Sequence, residues 1–530
     1  MQPASAPIRR HTAEQGVPRA LLGAAILATA LVLLPIGITV KNAMTGGWAL
    51  AAELIWRPLT GELLLNTLGL IVGTCLLCGA TGTVLAWLME RTDLPGRRFW
   101  APLAVAPLTI PAFITSFTWL SISPAFATYG GALLVVSTAY YPFVYLPVAA
   151  ALRGMDPALE ETARALGRNF WSMLWRVVLP QLRPALLGGM LLVALNTLVE
   201  FGAFALLRFR TFTTAIYGAY RTGFSGPEPA LLAMVLLLLC ILCLTAEALI
   251  RGKSRYGRLA RGTRGAALRY GLGRWRWPAM ALPLLLGLAT TFMPLATICF
   301  WMTRPADSAT TVAGASYLGL LRASWSSVSL GIEAACLTLA LALPLGFLAT
   351  RHQGLPSLLL ERCAYLAQGI PGIVVALALI SLSVHHLRPL YQSRGLLVIA
   401  YAILFLPLAL VSVRAALSQA QTRLEEAAHS LGLGRVETFW RVTLPLAAPG
   451  FAAAACMVFI SVVTELTTTL LMAPIGTWTL ATELWADTST VAFAAAAPYA
   501  AVMVAISMAA SWLLAGRLGR AGVLSFDSHS

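Results

Sequence analysis

Two cysteine pairs are the residues of this sequence whose spacing most suggests metal or redox chemistry. Cys75/Cys78 and Cys240/Cys243 both have the CxxC spacing that is typical of zinc and redox sites. Their neighbours are Leu, Gly and Ile within long apolar runs, without a nearby histidine or acidic cluster. We therefore interpret them as packing thiols and predict neither a metal site nor a cofactor.

Phosphate chemistry is suggested only by the triplet Gly252-Lys253-Ser254. A phosphate-binding loop also needs a glycine five residues earlier, and that position is Glu247. We predict no nucleotide site and no catalytic residue in this chain. His385 and His386 are interpreted as solvated residues of a short outer loop.

A charged segment is present twice. Residues 159–167 read LEETARALG and residues 424–432 read LEEAAHSLG, followed by WRVVLP at 175–180 and WRVTLP at 440–445. Every matched position differs by 265, without a gap. We call residues 159–184 the first duplicated loop and residues 424–449 the second duplicated loop.

Each duplicated loop is predicted to form a helix–glycine–helix finger. Acidic residues in the first turn favour the helix dipole, and Gly167 can end the helix by adopting a positive φ. A second, amphipathic helix follows, with Phe170, Trp171 and Trp175 at helical spacing. We expect Pro180 to end that helix and Pro184 to mark the entrance of the next span.

The composition of the chain indicates what kind of helices carry these loops. The chain has 530 residues, of which 58% are hydrophobic and 11% charged, and its mean hydropathy is +0.79. Soluble proteins carry about 25% charged residues, so we predict an all-α polytopic membrane protein. The net charge of +16 comes almost wholly from arginines in short segments between apolar runs, a pattern of cytoplasmic loops rather than of nucleic-acid binding.

Apolar runs predict twelve spans, six in each half of the chain. They lie near residues 20–40, 63–89, 99–121, 131–152, 185–207, 229–250, 278–301, 325–350, 363–384, 395–416, 450–473 and 491–515. The repeat extends beyond the loops, since Ile110-Pro111 matches Ile370-Pro371 and Leu146-Pro147 matches Leu406-Pro407. Both halves should have the same orientation, with both termini in the cytoplasm.

Residues 251–276 separate the halves. This segment has nine basic residues and no acidic one, and glycines recur through it. We predict a flexible cytoplasmic linker close to anionic lipid headgroups. The chain is thus divided into a first core (1–250), the linker (251–276) and a second core (277–530).

The loop motif resembles that of permease subunits of binding-protein-dependent ABC importers, E-A-A-x-x-x-G followed by L-P. The second loop matches fully, and the first has Thr162 in place of the first alanine. The resemblance implies two tandem six-helix permease cores with pseudo-twofold symmetry, and loops that couple to ATPase subunits. The coupling residues implied are Glu160, Glu161, Ala163, Gly167, Leu179, Pro180, Glu425, Glu426, Ala427, Ala428, Gly432, Leu444 and Pro445.

The same resemblance implies the partners: two ATPase subunits that hydrolyse ATP, a periplasmic or extracellular solute-binding protein, and no second permease chain. It implies a bacterial inner membrane location. Two permease cores fused into one chain resemble the ferric-iron branch of this family. The runs Glu200–Phe204 and Arg210–Tyr217 are similar to the first half of the permeases in that branch. Thiamine, 2-aminoethylphosphonate and polyamine permeases remain alternatives. An ion-coupled secondary transporter is the alternative of another class, and it would need functional carboxylates in its spans.

Two carboxylates stand at equivalent positions late in the span that follows each loop, Glu200 and Glu465. An ionisable group in a span is costly and usually faces a bundle interior or a water-filled cavity. We predict that the two form a functional pair along the transport pathway. A position at the outer water interface remains the alternative.

Overall fold

Helices form almost all of the described structure. The computed structural model describes residues 18–223, 227–251, 269–304, 317–352, 354–420 and 422–520. In these ranges, ten helices are long and apolar enough to cross a bilayer. They are α1 Arg19–Thr45, α2 Pro58–Arg91, α3 Tyr129–Gly154, α4 Phe170–Val199, α5 Pro227–Glu247, α6 Gly273–Met302, α7 Tyr317–Arg351, α8 Arg394–Gln419, α9 Val436–Val463 and α10 Phe493–Leu514. The predicted all-α polytopic membrane fold is confirmed.

The third predicted span of each half is not a continuous helix. In the first half, Arg97–Thr109 and Ala112–Ile122 meet at 93°, which makes an eleventh span if the pair is counted as one. In the second half, Leu355–Leu366 and the 15-residue helix Gly372–His386 replace the predicted span 363–384. The described residues therefore give ten or eleven spans where twelve were predicted.

Prolines explain both breaks. Pro111 and Pro371 each immediately precede the second helix of the pair. A proline disfavours helical backbone at the residue before it, and Ile110 is accordingly extended, with φ −109° and ψ 110°.

The spans that follow the duplicated loops end earlier than predicted. The predicted spans 185–207 and 450–473 stop at Val199 and Val463, and a short helix follows each one. The short helices of the described structure include Gly47–Trp56, Pro157–Ala165, Gly202–Leu206, Phe212–Gly223, Thr422–Ser430, Thr467–Met472 and Leu480–Ser489.

The two halves share one packed interior. Helix α1 packs against α7 and against Gly372–His386 of the second half, and Asn42 Nδ2 donates to Ser381 Oγ at 2.8 Å. Helix α6 in turn packs against Ala112–Ile122 of the first half. The division into residues 1–250, 251–276 and 277–530 follows the sequence repeat and stays a prediction. Most of the linker, and the segments before residue 18 and after 520, lie outside the described residues.

Candidate functional site: the duplicated loops and a cavity between the halves

The first duplicated loop starts with a helix, Pro157–Ala165, that ends at a glycine. Gly167 has φ +72°, which is the left-handed region. Its N–H donates to Arg164 O at 2.8 Å, and the Arg168 N–H donates to Ala163 O at 3.1 Å. These two bonds form the Schellman motif, which satisfies the last carbonyls of a helix and favours glycine.

The second duplicated loop has the same ending. Helix Thr422–Ser430 is followed by Gly432 with φ +88°. The Gly432 N–H donates to His429 O at 3.0 Å, and the Leu433 N–H donates to Ala428 O at 3.1 Å. The predicted role of both glycines as positive-φ helix ends is confirmed.

The second helix of each loop runs on into the following span, so the prediction that Pro180 ends it is wrong. Helix α4 is continuous from Phe170 to Val199. A π-helical turn at Leu174–Val178 lies just before Pro180, and one at Phe439–Thr443 lies just before Pro445. A proline has no N–H to donate to the helix. The π turn just before each proline already interrupts the regular α-helical hydrogen bonds, so the helix can continue through the proline.

The first glutamate of the first loop points inward. Glu160 and Arg91, the last residue of α2, are both fully buried, and their side chains form an ion pair with Nη2–Oε1 at 3.1 Å. The Tyr270 hydroxyl donates to Glu160 Oε2 at 2.7 Å. Glu160 therefore fastens the loop to the end of a span and has no surface left for a partner protein.

Glu425 makes the equivalent contacts in the second half. Arg351, the last residue of α7, donates from Nε to Oε2 at 3.0 Å and from Nη2 to Oε1 at 2.8 Å. The Thr443 hydroxyl donates to Oε1 at 2.9 Å. Both loops are thus held by a carboxylate–guanidinium pair, which is fully buried in the first half and mostly buried in the second.

The outer face of each loop consists of exposed residues. Glu161, Gly167, Glu426, Ala427, Gly432 and Pro445 are exposed, Leu179, Pro180 and Leu444 are half-buried, and Ala163 and Ala428 are buried. Large apolar side chains are exposed at matched positions: Leu166 and Leu431, Trp171 and Val436, and Trp175 and Trp440. We call these six residues the apolar loop faces. Exposed apolar side chains of this kind are suited to a contact surface.

Sequence reasoning missed the partners of the two inner glutamates. Arg91 and Arg351 end corresponding spans, so an alignment of the two halves carried beyond the loops would have pointed to them. Tyr270 lies at the end of the linker, 110 residues from Glu160, and no sequence signal points to it.

A cavity of about 290 Å³ lies between the two halves, at the helix breaks. Its walls include Pro111 and Glu200 from the first half, and Phe405 and Glu465 from the second half. Glu200 and Glu465 thus both line this cavity. Their place on a transport pathway stays a prediction.

Each of these carboxylates also caps the short helix that follows it. Glu200 Oε1 accepts from the Ala203 N–H at 2.9 Å, and its Oε2 accepts from the Tyr140 hydroxyl at 2.5 Å. Glu465 Oε1 accepts from the N–H and the hydroxyl of Thr468, at 3.0 and 3.1 Å. The backbone contact is the same in both halves, while the side-chain donors differ.

The described residues contain no cluster of three or more His, Cys, Asp or Glu side chains that could hold a metal ion. Cys75 and Cys78 donate to backbone carbonyls, of Met190 and Ser137 respectively. His385 and His386 are exposed, but they lie in the last turn of helix Gly372–His386 and not in a loop as predicted.

A helical membrane protein with two equivalent halves, matched loops and a cavity between the halves has the architecture of a transport permease. Residues 81–251 and 342–518 each match the family described as binding-protein-dependent transport system inner membrane component. The chain therefore belongs to this family. It is a multi-pass inner membrane protein and a permease subunit rather than an enzyme, and permeases of this family work with ATPase and binding-protein partners.

Individual relatives agree with the duplicated organisation. The Fe(3+)-transport system permease protein FbpB 2 of Haemophilus influenzae is 34% identical over 480 residues, covering 89% of this chain and 93% of that protein. The sulfate transport system permease protein CysT of Escherichia coli is 29% identical, covering 45% of this chain and 92% of that protein. The molybdenum transport system permease protein ModB of Escherichia coli is 28% identical over 27% of this chain and 66% of its own length. About half of this chain thus matches nearly the whole of CysT.

Proposed function

We propose that this chain is the permease of an ATP-driven importer whose cargo is ferric iron, delivered by a solute-binding protein. The likeness to the ferric-iron permease along almost the entire length of both chains carries the proposal. The cavity supports it, because Glu200 and Glu465 present oxygen ligands, which hard cations prefer. The same two carboxylates disfavour oxyanions, the cargo named for the sulfate relative.

ATP hydrolysis is assigned to two separate ATPase subunits, one on each duplicated loop. The exposed glutamates Glu161 and Glu426, together with the apolar loop faces, form two matched surfaces of suitable chemistry for this contact. One chain supplies both halves of the pathway, so no second permease chain is needed. In this arrangement the loops, the linker and both termini face the cytoplasm.

Reconstitution into liposomes tests the cargo and the energy source together. The permease, its ATPase and its ferric-loaded binding protein are expected to take up labelled ferric iron only when ATP is present. Thiamine, 2-aminoethylphosphonate and spermidine, each offered with its own binding protein, should not be taken up. Iron uptake by the permease alone, driven by an ion gradient, would instead establish a secondary transporter.

A further inference from the structure

The end of the linker is fastened to the first half of the molecule. The Tyr270 N–H donates to Arg91 O at 2.8 Å, and Tyr270 O accepts from the Asp93 N–H at 3.3 Å. The Asp93 carboxylate accepts from the Leu272 N–H at 2.8 Å and pairs with Arg276. Both contacts lower the pKa of the Asp93 carboxyl group, the hydrogen bond from the Leu272 N–H more than the contact with Arg276. Asp93 therefore stays ionised and can accept both bonds. The chain that enters the second half therefore lies directly against the cytoplasmic end of α2.

The Tyr270 side chain reaches from this attachment into the first duplicated loop. Its ring packs against Trp87 and Phe170, each with a centroid separation of 5.5 Å, and the Arg164 guanidinium lies 4.6 Å from its centroid. Its hydroxyl donates to Glu160 Oε2. Burial, and then the Glu160 carboxylate, raise the pKa of Tyr270 to about 12, so the hydroxyl stays protonated at neutral pH.

The second half shows what Tyr270 replaces. There, Thr443 donates a hydroxyl to Glu425 from within the loop itself. The equivalent position in the first loop, 265 residues earlier, is Val178, which is fully buried and has no hydroxyl. In the described structure, Arg91 Nε and Nη1 have no hydrogen-bond partner, so the Arg91–Glu160 pair is less fully satisfied than the Arg351–Glu425 pair. The first loop thus has no hydroxyl of its own at this position, and Tyr270 donates one to Glu160 from outside the loop.

We propose that Tyr270 is a positioning residue. It holds the first duplicated loop in the orientation in which the loop contacts its ATPase subunit, and it connects this loop to the start of the second half. It supplies to Glu160 the hydroxyl that Thr443 supplies to Glu425. The two loops are consequently held differently: the contacts that hold the second come from its own half, whereas the first is held by Arg91 of its own half and also by the segment that joins the halves. This inference rests on the proposed docking of ATPase subunits to the loops.

Replacing Tyr270 with phenylalanine tests the inference, because this change keeps the ring and removes only the donor. ATP-dependent uptake per permease molecule in the reconstituted transporter is expected to fall about tenfold, the effect of losing one hydrogen bond to a buried charge. Adding Val178→Thr to Tyr270→Phe should restore uptake, since the new hydroxyl lies where Thr443 has its own. Thr443→Val is the matched change in the second loop and should cause a similar loss that Tyr270 cannot compensate.

Three results would overturn the inference: wild-type uptake by Tyr270→Phe, a loss that only reflects less folded permease, or no restoration by Val178→Thr. Val178→Thr alone is the control and should transport normally. The docking proposal is tested separately by Glu161→Lys and Glu426→Lys, scored by ATPase retention. If these variants retain the ATPase, docking itself is refuted. If they lose it while Tyr270→Phe transports normally, only the role of Tyr270 is refuted.

Discussion

At the scale of single residues, adjacent glutamates in each loop have opposite environments. Glu160 is buried against Arg91, while Glu161, the next residue, is exposed. Glu425 and Glu426 repeat this arrangement. Since removing one partner of a buried ion pair leaves an uncompensated charge, the inner glutamates should control stability and the outer ones should control partner binding.

Glu160→Gln is accordingly expected to lower the free energy of unfolding by about 3 kcal/mol, because Arg91 loses its counter-charge in the interior. The exposed control Glu161→Gln should change it by less than about 0.5 kcal/mol. Denaturant unfolding of the purified permease, followed by tryptophan fluorescence, measures both. Equal unfolding midpoints for the two variants would contradict the buried pair.

The cavity carboxylates give a second prediction at this scale. Replacing both Glu200 and Glu465 with glutamine keeps an oxygen acceptor for the capped helices and removes both charges. Ferric uptake should fall more than tenfold while assembly and basal ATPase activity persist. Glu333→Gln, at an exposed carboxylate paired with Arg394, is the matched control and should transport normally. Undiminished uptake by a well-expressed double variant would remove these residues from the pathway.

At the scale of elements, the loops are rigid fingers because each of their parts is locally determined. A glycine at positive φ ends the first helix, and a π turn lets the second helix continue through its proline into the span. We expect such a finger to move together with α4 or α9 and to transmit force along it. Its direction relative to the span depends on the glycine.

Gly432→Val should therefore misdirect the second finger, since a β-branched residue at φ +88° costs at least about 1–2 kcal/mol of backbone strain. A Cβ there would meet nothing within 4 Å, so the effect is conformational and not steric. Retention of the ATPase in a pull-down should drop, as it should for Gly167→Val in the first loop.

Gly434→Val is the matched control for this pair of changes. Gly434 is exposed, has open space around its Cβ position and has no positive φ, so retention should stay near wild type. Equal retention by Gly432→Val and Gly434→Val would show that the helix ending is irrelevant to docking.

At the scale of the whole molecule, the shared interior joins the halves into one unit. Helix α1 packs on the second half and α6 packs on the first, so each half is completed by the other. Both walls of the cavity come from the same chain. We therefore expect no second copy of the chain in the transporter.

The intact transporter is therefore expected to contain one permease chain, two ATPase subunits and one binding protein. Native mass measurement of the purified complex decides the composition. A permease carrying Glu161→Lys should retain one ATPase subunit instead of two, because only its second loop remains competent. Two permease chains in the wild-type complex would refute the fused arrangement.

Composition and local motif were sufficient to predict the membrane class, the repeat, the loops and the family. These features depend on contiguous residues: apolar runs, a charged helix followed by glycine, and the L-P pair. The glycine endings at Gly167 and Gly432 were predictable for the same reason, since few other residues accept positive φ.

Long-range packing determined the rest. Whether Glu160 faces Arg91 or a partner depends on where α2 ends relative to the loop, and the donor Tyr270 comes from 110 residues away. The cavity is lined by the proline break of the first half together with helix ends of both halves. Which side chains are buried, and which distant residues meet, depends on how segments far apart in the sequence pack together. A local sequence pattern determines only the conformation of its own residues.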